Sequence, residues 1–233
     1  MRVLIIGNSQ TVAIARGYKD IVASGLAHPG LEIEFQYIGM GREMQEKFYS
    51  VSGNEFSTHS RKTVPFTFHG GVIDYDIVGL AAPYFSSLLC KDPDWMSFGL
   101  APNCEGKTPL SRLLVEHATR LGQRHVLAFL DALQAVGTPV FAVEAARLFR
   151  ESPLVQRNDE ALVAQIDAIF CQTMAEELQR RSIRSVRVPK ESCDELGYLL
   201  SEHRSHKKGD TVHANRNFGV LMARQINAFL AQA

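Results

Sequence analysis

The sequence has no apolar run approaching the roughly 20 residues that a membrane-spanning helix needs. It also has no surplus of charge: 25 Lys and Arg balance 25 Asp and Glu. The first absence argues against a membrane partner, and the second leaves no overall field to draw nucleic acid. Cysteine is sparse. Cys90, Cys104, Cys171 and Cys193 show neither C-x-x-C pairing nor a zinc-like rhythm, so free thiols are expected rather than a disulfide framework or a metal site. Phosphate-binding glycine patterns are missing as well. The turn Gly7-Asn8-Ser9 matches neither G-x-G-x-x-G nor G-K-[ST], and no cofactor is expected. The first residues carry no small-residue cleavage signal, so the expected location is cytoplasmic. What remains is an ordinary globular composition, 45% apolar and 21% charged over 233 residues, enough for one domain spanning 1–233 with a substantial core.

The order of elements is informative. Val3 to Ile6 is a continuous β-branched and apolar run, the mark of a strand buried on both faces. Helical spacing begins at Thr11 and ends near Ser24-Gly25, with Gly as the C-cap. Strands are expected over Leu31–Ile38, Val64–His69, Ile77–Ala82, Pro139–Ala145 and Ile183–Val188, with Val64–His69 an edge strand blunted by Pro65. Helices are expected over Leu110–Val136 and Asp159–Arg181, and a final helix carries Phe218, Met222 and Ile226. Strand–helix alternation of this kind predicts an α/β fold, a three-layer α/β/α arrangement on a five-stranded parallel sheet. In such sheets the ligand crevice lies beyond the carboxyl ends of the strands.

Ser9 stands at such an end. It has two readings: a hydroxyl that caps the helix beginning at Thr11, or a nucleophile beside unpaired backbone N–H groups and a favourable helix dipole. The far end of the chain bears on that choice. Asp210-Thr-Val-His213 is a turn in which an Asp three residues before a His can reach back to the imidazole, hold one tautomer and stabilise the cation.

Gly7-Asn8-Ser9 resembles the first block of the SGNH (GDSL-like) hydrolases, with Asn where Gly-Asp-Ser is usual. Asp210-x-x-His213, followed by Asn215 and Gly219, resembles that family's last block. The two blocks lie at opposite ends of the chain, so the resemblance spans nearly all of it. It implies an SGNH/flavodoxin-like fold and a serine esterase, with Ser9 as nucleophile, His213 as general base and Asp210 as its orienting partner. A family oxyanion-hole N–H falls on the glycine after the second strand; Gly41 fits that place best and Gly39 second, with a plain turn glycine as the alternative. The family's third strand ends in a Gly-x-Asn-Asp block whose Asn completes the oxyanion hole. Here the chain continues Ala82-Pro83-Tyr84, and Pro83 falls where that Asn belongs, with neither a side-chain amide nor an N–H.

Asn8, Pro83, Tyr84 and Asn103 are therefore the candidate substrate-binding residues, Asn103 as a donor arriving from another direction. The long 85–109 segment, with Trp95 and Phe98, suits a substrate wall or a satellite of the core. His117 and His125 read as partly solvated helix residues. The basic run His203-Arg-Ser-His206-Lys207-Lys208 reads as solvated surface, or as a patch beside the mouth that draws an anionic substrate. The expected substrate is a small-molecule or carbohydrate O-acyl ester. The rival expectation is a binding or assembly domain on the same fold with a degenerate site, which Pro83 favours. The natural ester and the oligomeric state are not legible in the sequence.

Overall fold

The computed structural model of the chain describes residues 1–60, 64–81, 83–102 and 104–232. In chain order β1 (Arg2–Gly7), α1 (Thr11–Ala23) and β2 (Glu32–Tyr37) come first. A 3-10 turn at Gly41–Gln45 leads into β3 (Tyr49–Ser52), β4 (Glu55–Thr58) and β5 (Phe66–His69), and then β6 (Ile77–Ala81). The connection that follows carries α2 (Ser87–Cys90), β7 (Phe98–Gly99) and β8 (Thr108–Pro109). The chain closes with α3 (Arg112–Ala135), β9 (Val140–Val143), α4 (Pro153–Gln156), α5 (Glu160–Arg180), β10 (Arg184–Val186) and α6 (Arg216–Leu230).

The main sheet has five strands in the order β10-β9-β6-β1-β2, all pairs parallel. Successive side chains of β1 point to opposite faces, and each face is buried against a helix pair. Leu4 and Ile6 join Val126, Leu130 and Met174 of α3 and α5, whereas Val3 and Ile5 join Ile14, Phe218 and Met222 of α1 and α6. This is the three-layer arrangement expected from the strand–helix order. Helix starts have visible causes: the Asp159 side chain accepts from Leu162 N–H at 3.0 Å to cap α5, and Asn215 accepts from Phe218 N–H at 3.1 Å to cap α6.

Three expectations need correction. The polar stretch after Tyr49 forms an antiparallel hairpin, β3 and β4 joined through Gly53-Asn54, and the expected edge strand is β5 of that small three-stranded sheet. Glu43 to Tyr49, a stretch whose sequence allows a short helix, holds only the end of the 3-10 turn at Gly41–Gln45. In α3 three leucines at helical spacing in the first half do not face the core: Leu113, Leu114 and Leu121 are exposed, and the buried positions there are Val115 and Thr119. A 24-residue helix is about 36 Å long, well beyond a sheet strand of 5 residues such as β6 at roughly 17 Å. Half of α3 therefore has no sheet beneath it. The helix runs unbroken through Gly122.

The helices α1 and α6 meet backbone to backbone. A methyl group built on Gly17 would lie 2.0 Å from the carbonyl carbon of Gly219, and one on Gly219 would lie 1.9 Å from the Ala13 carbonyl oxygen. Both glycines are obligatory for close approach, not for an unusual φ. Gly17→Ala should therefore cost about 3 kcal/mol or more through overpacking. Gly122→Ala, where the nearest atom is 3.9 Å away in a helix interior, should be neutral or stabilise by about 0.5–1 kcal/mol. Urea denaturation of the two variants beside the parent checks the contrast.

Candidate active site

β1, its neighbours β2 and β6, and the turn after β1 define the site. Gly7 is level with Tyr37 on one side and Ala81 on the other, so three strand ends open on the same edge. A side chain at Gly7 would meet Thr11 Oγ1 at 2.5 Å and the Ala81 carbonyl at 2.8 Å. The turn beyond it is shaped by Asn8, whose Oδ1 accepts the Gln10 N–H at 3.0 Å, a side-chain mimic of a backbone turn. Ser9 is left half-buried at the start of α1. The N-cap position belongs to Gln10, with no side-chain cap bond, so Ser9 does not cap the helix.

Instead, Ser9 Oγ lies 2.9 Å from His213 Nε2. The other ring nitrogen, Nδ1, lies 3.0 and 3.1 Å from the two oxygens of Asp210. Asp210 Oδ1 also accepts the N–H groups of His213 and Val212 at 3.0 and 3.2 Å. Burial works against the Asp210 charge, but these backbone N–H groups and the His213 ring outweigh it and hold the carboxyl below the usual aspartate range. An ionised Asp210 fixes the proton of a neutral His213 on Nδ1 and leaves Nε2 to accept from Ser9. The segment carrying the dyad is clamped at three points. Gln10 Nε2 donates to the Val212 carbonyl at 3.1 Å, Ser205 N–H to the His213 carbonyl at 2.9 Å, and Asn215 Nδ2 to the Glu202 carbonyl at 2.6 Å.

The other candidates divide. Gly41 borders Asn8: a methyl group there would be 3.6 Å from Asn8 Nδ2 and 2.5 Å from the Phe85 ring. Gly39, with φ +137°, faces Glu43 and Ser60 instead. Among the described residues Asn8 Nδ2 is buried without a hydrogen-bond partner. Pro83 is buried two residues past the end of β6. Tyr84 is drawn away from the site. Its side chain is buried in the core under α3 and α5, and its hydroxyl pairs with Ser185 at 3.1 Å and Arg187 at 3.4 Å. Asn103 lies outside the described residues. Trp95 and Phe98 of the 85–109 segment form a satellite of the core: Trp95 is buried with Cys90, Val115 and Leu148, and its indole N–H donates to the Leu89 carbonyl at 2.8 Å.

Ser9 and His213 open into a cavity of about 450 Å³. Its walls include Val12 and Arg16 from α1, and Ser205, His206 and Lys207 from the basic run. Gln10, Arg16 and Phe85 are site residues the sequence reading missed. For Arg16 a signal exists, since it follows Val12 at helical spacing on the face that begins beside Ser9; the reach of Gln10 to Val212 has no local signature.

No family model matches the chain, and no curated protein matches its sequence. Solved structures do share its fold. An acetyl xylan esterase is similar over 99% of this chain and 100% of its own at 12% identity, with a TM-score of 0.52. A GDSL-like lipase from Bacteroides thetaiotaomicron covers 99% of this chain and 88% of its own at 13% identity and TM-score 0.51. A carbohydrate acetylesterase family member from Sinorhizobium meliloti covers 100% and 98% at 10% identity and TM-score 0.50. The α/β fold is thus one shared with GDSL-like hydrolases.

Because the Asp210 carboxyl is held low in the folded state, its contribution to stability is present above the unfolded value of about 3.9 and is lost as pH falls through the lower folded value. Asp210→Asn should therefore be less stable than the parent at pH 7, with the gap closing below about pH 4. Denaturation midpoints at pH 7, 5 and 3 test this; a gap independent of pH would contradict it.

Proposed function

We propose that the chain is a serine esterase of the SGNH type, acting on a small-molecule or carbohydrate O-acyl ester. The observation that carries this reading is the continuous hydrogen-bonded series from Ser9 through His213 to Asp210, open to a cavity. Ser9 Oγ attacks the ester carbonyl while His213 Nε2 takes its proton, and Asp210 stabilises the imidazolium. The carbonyl oxygen becomes an oxyanion held by the backbone N–H groups of Ser9 and Gly41. Collapse of the tetrahedral intermediate expels the alcohol, which receives the proton from His213. Water activated by the same nitrogen then releases the acid from Ser9. The shared fold with an acetyl xylan esterase and a carbohydrate acetylesterase family member supports the choice of an O-acyl ester.

A second reading, a binding or assembly domain without turnover, is favoured by one observation. Pro83 stands two residues beyond the end of β6, as Ser9 stands two residues beyond Gly7, the partner of Ala81 at the end of β1, and supplies no donor there. The connected series of Ser9, His213 and Asp210 weighs more heavily, since a pure binding site has no need of it.

A fluorophosphonate probe should label the parent protein and leave Ser9→Ala unlabelled. Ser9→Ala should also lose turnover of short-chain aryl esters, with its melting temperature little changed because Ser9 supplies no cap. Unlabelled, well-folded parent protein would favour the binding domain. If the oxyanion hole has two donors, Pro83→Asn should raise kcat by up to about 100-fold, the rate equivalent of one preorganised donor at about 3 kcal/mol. Aryl acetate turnover, with circular dichroism confirming the fold, checks it; a loss of rate in folded protein would show that Pro83 does not occupy a donor position.

A further inference from the structure

We propose that the ester this site takes carries a negative charge, held by Arg16 and Lys207. The inference rests on the esterase reading above and adds the substrate's charge to it. Both cations line the cavity that contains Ser9 and His213, one contributed by α1 and the other by the turn that leads into Asp210. Both are exposed, and neither has an acidic partner among the described residues.

The charges around them leave the cavity unbalanced. Arg216, also in its wall, is paired with Asp20. Asp210 is the acid that lines it, and its charge faces His213. A second cavity of about 220 Å³ continues across Val12 and Arg16 and adds Lys19. Arg16, Lys19 and Lys207 thus line neighbouring space with no free carboxylate among them, in a chain whose total charge is zero. A local excess in a neutral chain is not a by-product of composition.

The position of Lys207 is also set by the catalytic turn. Its carbonyl accepts the Asp210 N–H at 3.0 Å, and its own N–H donates to Ser205 Oγ at 3.3 Å. The turn that holds Asp210 for His213 therefore holds Lys207 at the mouth. A cleft lined by one sign of charge with protein walls focuses the field and concentrates ligands of the opposite sign. The planar guanidinium of Arg16 can receive a carboxylate, sulfate or phosphate through two parallel hydrogen bonds. The chemical class is an anionic ester, such as an acylated sugar acid, with the charge on the part of the molecule lying along α1.

The test uses 4-acetoxybenzoate and its neutral methyl ester, which present the same acyl group. The ratio of kcat/KM for the charged to the neutral ester should be roughly tenfold lower in the Arg16→Gln/Lys207→Gln double variant than in the parent. Comparing ratios between proteins cancels the intrinsic reactivities of the two esters. In the parent the ratio should fall as salt rises and screens the field. A ratio unchanged by the double substitution overturns the proposal. Equilibrium binding of both esters to Ser9→Ala, with and without the two Gln substitutions, separates this outcome from failure of the esterase reading. If the parent hydrolyses neither ester but Ser9→Ala holds the charged one more tightly, and only with Arg16 and Lys207 present, the anion site stands and the esterase falls. Equal binding of the two esters overturns the anion site whatever the turnover.

Discussion

The close packing of α1 on α6 is the constraint on which the site depends. Ser9 precedes one helix and His213 precedes the other, and 204 residues separate them in sequence. They meet because Gly17 and Gly219 let the two backbones approach to within the space of a side chain. The Arg216–Asp20 ion pair ties the same helices at the surface, though an exposed pair of this kind adds little stability. Buried apolar contacts do more: Ile14, Phe218, Met222 and Ile226 cover one face of the sheet together. The helix ends that carry the dyad are therefore placed by the core, and the clamps from Gln10, Ser205 and Asn215 refine the result.

The sheet supplies the other half of the placement. β1 is an interior strand, flanked on both sides by parallel partners in register, and its end at Gly7 is level with theirs. Strand ends on one edge leave a crevice where the first helix begins, and the turn at Asn8 fits into it only because Gly7 has no side chain. Tyr84, three residues past the end of β6, is taken up by different physics. Its ring belongs to the core, and the guanidinium of Arg187 lies over it at 4.9 Å.

Much of this is legible in the sequence, and the limits have physical reasons. β1 and α1 announce themselves by an abrupt change from continuous apolar residues to helical spacing, and the Asp210–His213 spacing is local, so both blocks can be read without knowing the fold. The β3–β4 hairpin is hidden because Tyr49 and Phe56 anchor it in the core while most of its other positions are polar; Gly53-Asn54 is its available sign. Leu113, Leu114 and Leu121 mislead because helical periodicity reports a face but not what lies opposite it. The fate of Tyr84 and the close approach at Gly17 are set by distant residues, Ser185 and Gly219, which no local pattern announces.

The 204-residue separation of Ser9 and His213 also bears on how the protein is made. A contact of such high sequence separation is entropically expensive until the intervening structure has condensed. During synthesis the N-terminal strands can begin to pair first, while α6 is still to come. One face of β1 must then wait half covered, with Val3 and Ile5 packed by Ile14 of α1 but still without Phe218 and Met222 of α6. The Ser9–His213 hydrogen bond closes the same long loop as the packing of α1 on α6, so the contact and the completed core face depend on one late-synthesised segment.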